Sequence, residues 1–333
     1  MANILVTGGA GYVGSVCCAE LLHAGHAVTV VDDLSTGCRE AVSDGTAFFQ
    51  IDIGDRQAMQ QLVSTIRFDA VFHFAAKALI PESVSNPGTF FHHNVASGIT
   101  ILEVLRAAGI RNFVFSSSAA VYGTPERIPI DEDDAKVPIN SYGETKLIFE
   151  RVLSWYAQAY GWSVTAFRYF NASGATAELG ERHEPETHII PLLLEAAAGE
   201  REVFTIYGDD YDTPDGTCLR DYVHVLDIAS AHICALQKLN APGMWVYNIG
   251  LGTSYSVKEV CKVAAEVTGR TIPLQTNARR EGDPPVLCAS PKRIMQEVGW
   301  KPEHSALREI VESAWQWKQK LLAQTMTVST LAR

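Results

Sequence analysis

Tyr142 and Lys146 stand four residues apart in SYGETK, a spacing that puts a phenol and an ammonium on one face of a helix. A tyrosine titrates near pH 10 in water, so it needs nearby positive charge to take a proton at neutrality. A unit charge at roughly 4 Å, with an effective dielectric of about 20, supplies on the order of 4 kcal/mol, or about three pH units. Lys146 meets that need in part, and a second positive charge beside the phenol would meet the rest. Ser118, the last of three serines in FSSS, is placed to bridge the phenol and a substrate hydroxyl as a short proton path. Ser116 and Ser117 read as hydrogen-bonding residues at a strand end. No G-x-S-x-G elbow occurs, which argues against a serine-nucleophile hydrolase.

In isolation the tyrosine–lysine spacing is common on surfaces. What gives it meaning is TGGAGYVGS, directly after the strand-like run ILVT, with Gly8, Gly9, Gly11 and Gly14 in G-x-G-x-x-G and G-x-x-G-x-x-G frames. Such glycines let the backbone approach a pyrophosphate at a helix N-terminus. A second strand, VTVVDD, ends in Asp32, 18 residues past Gly14, near the position that bonds an adenosine ribose hydroxyl. An acid there, with only the more distant Arg39 to meet a 2′-phosphate, favours NAD over NADP. Asp52-Ile53 either lies near the adenine or simply closes the third strand. His73-Phe74-Ala75-Ala76 closes the fourth strand beneath the cofactor, with His73 itself reading as a satisfied core residue. The chemistry implied is hydride transfer from a carbinol carbon while Tyr142 takes the hydroxyl proton.

These residues need a scaffold. Short β-branched runs (ILVT, AVTVVD, AFFQID, AVFHF, FVFSS, SVTAFRYF) alternate with helical patterns at 55–66, 88–108 and 141–160. The alternation predicts an α/β fold: a doubly wound parallel sheet of the Rossmann type, followed by a smaller α/β substrate lobe. From about Ser173 the pattern loosens into long Gly, Pro and acid-rich stretches of the kind that bind ligands.

The chain of 333 residues carries 27 Lys+Arg against 38 Asp+Glu, a net charge of −11, which argues against nucleic acid or an anionic membrane as partner. Its seven cysteines show no C-x-x-C pair and no zinc spacing, so they read as reduced thiols and no metal is expected. With no signal-like N-terminus and no long apolar run, the expected location is the cytoplasm.

The motifs VVDDLSTG, HFAA, FSSSAAVYG, SYGETK, RYFNASGA, DYDTPDGTCLRDYVHV, YNIG and RREGDP resemble the extended short-chain dehydrogenase/reductases, and among them the UDP-glucose (UDP-galactose) 4-epimerase family. The similarity runs to roughly Gly299. It implies an NAD-dependent isomerase: hydride leaves sugar C4 for the nicotinamide, the 4-keto sugar turns over while its UDP stays anchored, and hydride returns to the other face. It implies cofactor contacts from Gly8, Gly11, Tyr12, Val13, Gly14, Asp32, Asp33, Asp52, Ile53, Phe74, Ala75, Ala76, Lys77, His93, Tyr142, Lys146 and Tyr169. His93 stands where the family commonly has Asn, and Lys77 where an apolar residue is usual. It further implies UDP-sugar contacts from Ser118, Asn171, His188, Ile189, Thr205, Tyr207, Arg220, Tyr222, Arg280, Asp283 and Leu287, with Arg220 and Arg280 as forks on the pyrophosphate.

Relatives that dehydrate the sugar carry an Asp-Glu pair after the bridging hydroxyl; Ala119-Ala120 here cannot protonate a leaving group. Leu287 stands where a bulky Tyr closes some sugar pockets, which leaves UDP-N-acetylglucosamine and UDP-xylose open beside UDP-glucose. A non-epimerising nucleotide-sugar oxidoreductase is the other alternative. The resemblance also implies residues 1–172 as the NAD-binding domain, with about 222–250 returning to it, 173–333 as the UDP-sugar lobe, and a homodimer through helices near 88–108 and 141–160.

Overall fold

The computed structural model describes residues 1–280, 283–304 and 306–331. Its strands are β1 (Asn3–Thr7), β2 (Ala27–Asp32), β3 (Ala47–Gln50), β4 (Ala70–His73), β5 (Asn112–Ser118), β6 (Ser163–Tyr169), β7 (Asn171–Ser173), β8 (Phe204–Tyr207), β9 (Leu219–Arg220), β10 (Tyr222–His224), β11 (Gly243–Ile249), β12 (Tyr255–Ser256), β13 (Leu274–Asn277) and β14 (Val286–Leu287). The helices are α1 (Tyr12–His23), α2 (Arg56–Thr65), α3 (Ile80–Ser85), α4 (Pro87–Phe91), α5 (Gly98–Ala107), α6 (Ser141–Tyr160), α7 (Ile189–Ala198), α8 (Val225–Ala235), α9 (Val257–Thr268), α10 (Lys292–Val298) and α11 (Leu307–Leu331).

Seven strands form the central sheet in the order β11-β6-β5-β4-β1-β2-β3, every pair parallel. The two-residue period of a strand explains its double cover: Ile4 and Val6 of β1 enter one apolar cluster with Val16 and Leu21 of α1, and Leu5 enters the other with Leu62 of α2 and Leu105 of α5. Helix α8 packs on α1, and β11 pairs with β6 from Gly243↔Ser163 to Ile249↔Tyr169, so the segment after 222 lies on this sheet. A third cluster joins Leu193 of α7, Phe204 of β8, Val260 of α9 and Ile310 of α11. Around it stand short pairs: β8 with β13, β7 with β10, and β9 between β12 and β14.

The site helix α6 starts where Asn140 accepts the Gly143 N–H at 2.8 Å and stops at Gly161, whose φ of 65° is left-handed. Two expected strands are shorter than their sequence patterns. β3 ends at Gln50 because Asp52 turns its carboxylate onto the Gly54 N–H at 2.8 Å. β4 ends at His73, where the N–H groups of Phe74 and Ala75 both donate to the Thr7 carbonyl. All seven cysteines are unpaired thiols, with Cys17 and Cys18 packed in the α1 face of the core. No helix among the described residues is long and apolar enough to cross a membrane.

Candidate active site

The carboxyl ends of β1, β2, β4, β5 and β6 open onto one cleft. Its floor is the turn from β1 into α1. Gly8 has φ +74°, and a Cβ there would lie 2.5 Å from Ala75 N; a Cβ at Gly14 would lie 2.2 Å from the Gly8 carbonyl oxygen. Gly11 differs: a Cβ would meet only the Gly8 oxygen, at 3.4 Å, and otherwise project into open space. Gly11 caps α1 with no side chain bonded to the helix end, so the first N–H groups of α1 face the cleft beside Tyr12 and Val13. That open, donor-lined cradle fits a dinucleotide pyrophosphate.

Asp32, at the end of β2, is 8 % exposed, and its two oxygens accept from Ala10 N and Leu34 N, each at 2.9 Å. Burial raises its pKa while those two N–H groups oppose the shift. Each oxygen keeps a lone pair for a ribose hydroxyl. Asp33, whose carboxylate accepts from Ser35 N, lines the same wall, with Asp52 and Ile53 at its far end. Asp52 is exposed, whereas Ile53 is mostly buried in the core.

The last turn of β5 sorts its serines by alternation: Ser116 and Ser118 face the cleft and Ser117 points back into the protein. Ser117 Oγ donates to Glu150 Oε1 at 2.5 Å, and Lys146 Nζ donates to the Ser116 carbonyl at 2.8 Å. Tyr142 is half-buried one helical turn before Lys146, and the Lys146 ammonium lies 5.7 Å from the Tyr142 ring centre. Burial raises the Tyr142 pKa, opposed by hydrogen bonding with Ser118, and pushes Lys146 down to about 7, opposed by Glu150. In the protein alone burial sets the direction for the phenol, and the second positive charge that the expectation pairs with Lys146 is no part of that balance.

Phe74, Ala75, Ala76 and Lys77 follow β4 along the cleft. Asn94 fixes this run by accepting from Lys77 N at 2.8 Å and donating to Lys77 O at 3.0 Å, while His93 beside it lines the wall within a π-helical turn, His92–Ser97. Tyr169 reaches the cleft with its hydroxyl 2.7 Å from His232 Nε2; since His232 Nδ1 lies 2.9 Å from the Ile228 carbonyl, Nδ1 carries the proton and Nε2 accepts from the phenol. His73 is buried against Thr7 Oγ1 at 2.7 Å, as a core residue.

Among the residues expected against the sugar nucleotide, Ser118, Asn171 and His188 line this cleft. Others form a separate group on the short strands. Arg220 of β9 pairs with Asp283 at 2.5 Å, and Leu287 of β14 is its strand neighbour. The Arg280 guanidinium lies 3.9 Å over the ring of Tyr207, and Thr205 accepts from Gln275 at 2.8 Å. Ile189 begins α7 and packs on the third core cluster. Tyr222 is 1 % exposed within that cluster, its hydroxyl without a hydrogen-bond partner, next to the point where the chain passes from one short sheet to another at Asp221. Glu281 and Gly282 of the RREGD stretch lie outside the described residues.

Sequence reasoning missed Glu150, His232, Asn94 and the wall residues Glu181 and His183. Glu150 had a signal, the same four-residue step from Lys146 that links Lys146 to Tyr142. The others come from distant segments and carry none.

A model of the NAD dependent epimerase/dehydratase family matches residues 4–250. The UDP-glucose 4-epimerase of Corynebacterium glutamicum is 48% identical over 319 residues, covering 96% of this chain and 96% of that protein. The solved UDP-glucose 4-epimerase from Brucella ovis in complex with NAD is 45% identical, with a TM-score of 0.92 over 95% of this chain and 98% of that one. The enzyme from Bifidobacterium longum in complex with NAD+ and UDP is 34% identical, with a TM-score of 0.91 over 96% and 98%.

Proposed function

The chain belongs to the NAD dependent epimerase/dehydratase family, and on that premise we propose that it is an NAD-dependent enzyme that interconverts UDP-galactose and UDP-glucose by inversion at sugar C4. The observation that carries the reading is the convergence of Ser118, Tyr142 and Lys146 on the same cleft as the Gly8–Gly14 cradle and Asp32. The chemistry such a cofactor supplies is reversible hydride acceptance.

The chain's own residues do the rest. Tyr142 holds the proton of the C4 hydroxyl at its phenolic oxygen, taking it as the carbinol is oxidised and returning it as the carbonyl is reduced. Ser118 orients that hydroxyl and hydrogen-bonds the phenol. Lys146, anchored on Ser116, brings positive charge to the phenol's edge. Nothing acidic follows Ser118: Ala119 and Ala120 leave the sugar no general acid for loss of water, so reduction of the same carbon is the open course.

We assign residues 1–172 and about 222–250 to cofactor binding and 173–333 to the UDP-sugar, with Asn171, His188, Ile189, Thr205, Tyr207, Arg220, Arg280, Asp283 and Leu287 as its contacts. Arg220 would exchange Asp283 for a diphosphate oxygen. A cytoplasmic homodimer completes the proposal, supported by exposed apolar side chains on the α4–α6 side: Phe91, Ile99 and Trp155, the last 69 % exposed. The test is to incubate purified protein with UDP-galactose and no added NAD and to resolve UDP-glucose by chromatography. Its formation supports the reading; unchanged UDP-galactose from protein shown to contain NAD overturns it.

A further inference from the structure

The loop between β7 and α7 gathers four side chains, Glu181, His183, Glu186 and His188, of which the proposed function uses only His188. Glu181, His183 and His188 each turn one ligand atom inward, and these atoms all lie within 4.8 Å of one another. Glu181 Oε1 is 2.6 Å from His183 Nδ1, Glu181 Oε2 is 3.7 Å from His188 Nδ1, and Glu186 Oε1 is 2.8 Å from His188 Nδ1. His183 Nδ1 is shut off from solvent and makes no well-directed hydrogen bond, although a carboxylate oxygen stands beside it. A buried imidazole nitrogen in that position is a lone pair or a proton aimed at a shared centre.

The loop is held in place from outside. Trp317 of α11 donates its indole N–H to the Glu181 carbonyl at 3.0 Å, and Gly180 lies so flat on that indole that a Cβ would come within 2.5 Å of Trp317 Cδ1. The Glu181 carboxylate also accepts from Arg182 N at 3.1 Å and His183 N at 3.2 Å. The donor set therefore does not depend on a cation to assemble.

We propose that Glu181, His183 and His188, with Glu186 as second carboxylate, form a site for one divalent cation of the zinc class in the wall of the cleft. Zinc takes imidazole nitrogen and carboxylate oxygen at about 2.0–2.2 Å in a tetrahedron, which sets neighbouring ligand atoms roughly 3.3–3.6 Å apart. The separations of 2.6, 2.8 and 3.7 Å fall on either side of that value, and the ligand atoms of Glu181, His183 and His188 all lie within 4.8 Å of one another. Charge agrees: the two carboxylates, Glu181 and Glu186, face one dication. The remaining titratable group facing the cluster, Tyr12 of α1, donates its hydroxyl to the Gly174 carbonyl at 2.6 Å and stays neutral. Imidazole ligands select against Mg²⁺ and Ca²⁺, which prefer all-oxygen shells. The spacing E-x-H-x-x-x-x-H matches no zinc motif, so the site is not legible from residue spacing alone.

The binding claim is independent of the proposed reaction, because it is read without substrate. Full-length protein, stripped with EDTA and then dialysed, is titrated with ZnCl₂ by calorimetry and checked by metal analysis. One saturable site per chain is expected, untouched by excess Mg²⁺. Glu181→Gln and His183→Gln should each weaken it by about tenfold or more. Arg182→Gln, in the same loop but without a ligand atom, should leave affinity unchanged and so separates loss of a ligand from loss of the loop. Absence of a saturable site overturns the proposal, as does zinc binding that both ligand substitutions leave intact, which would place the ion on the cysteines.

Discussion

Lys146 Nζ donates to the Ser116 carbonyl oxygen at 2.8 Å, so the cation of α6 is anchored on the strand that presents Ser118. Acid–base residues from two elements are thereby held in one register, with Tyr142 a helical turn away. Tyr142→Phe removes the proton acceptor and almost no volume. Turnover should fall by about 10²–10⁴-fold with the melting temperature and the content of bound dinucleotide unchanged. Turnover equal to that of the parent protein would remove Tyr142 from the mechanism.

Glu150 lies one turn beyond Lys146, 4 % exposed, with Arg168 on both its oxygens at 3.0 and 2.6 Å and Ser117 on one. The groups around Lys146 are Tyr142 and Glu150 on its own helix, the Ser116 carbonyl and Phe115 ring of β5, and the neutral His73 of β4. Burial drives Lys146 to about 7 and Glu150 opposes it, so Glu150→Gln lowers that value further. The ammonium is then lost at lower pH, and the alkaline limb of the kcat profile should move acidward by about one unit. A purely structural role for Glu150 would lower the melting temperature and leave the limb in place.

The glycine turn separates fold from binding. Gly14→Ala forces a Cβ to 2.2 Å from the Gly8 oxygen and should lower stability strongly, whereas Gly11→Ala has only a 3.4 Å contact to accommodate. Gly11→Ala should therefore melt near the parent temperature but lose dinucleotide, because its methyl occupies the cradle. Dinucleotide content after gel filtration, measured beside thermal melts, distinguishes the two. Equal dinucleotide retention by Gly11→Ala and the parent protein would contradict the assignment of the cradle.

Much of this was legible in sequence because it is local. β1, β2 and the helices α2 and α6 follow apolar periodicity, and the cradle and the Tyr142–Lys146 pair follow from short spacings. Tyr169 with His232, Asn94 with Lys77 and Glu181 with Trp317 join residues 63, 17 and 136 positions apart, and only tertiary packing brings them together. The surroundings of Tyr222, which only the resemblance placed near the UDP-sugar, are likewise tertiary: Asp221 beside it spends its carboxylate on Leu251 N, Gly252 N and Ala289 N, and the chain changes sheets there.

Buried histidines, His73 and His232 among them, cost the fold stability in acid. Burial lowers His73 to about 3 and His232 to about 4, against 6.5 for the free side chain. Between those values the unfolded chain binds more protons than the folded one, so stability is lost as pH falls from 6.5 toward 4. Each histidine accounts for about 2 kcal/mol between pH 7 and pH 5. Urea unfolding of His73→Gln at the two pH values should show a correspondingly smaller loss than the parent protein. Parallel losses would mean that His73 is already charged in the folded state.

In the proposed reaction C4 is oxidised and reduced on one protein with its cofactor retained. UDP-galactose carrying deuterium at C4, turned over in ordinary water with excess unlabelled NAD added, tests it most directly by mass and NMR analysis of the product. The expected product is UDP-glucose with the deuterium still at C4. Deuterium lost to water, or found in the added nicotinamide pool, would contradict it.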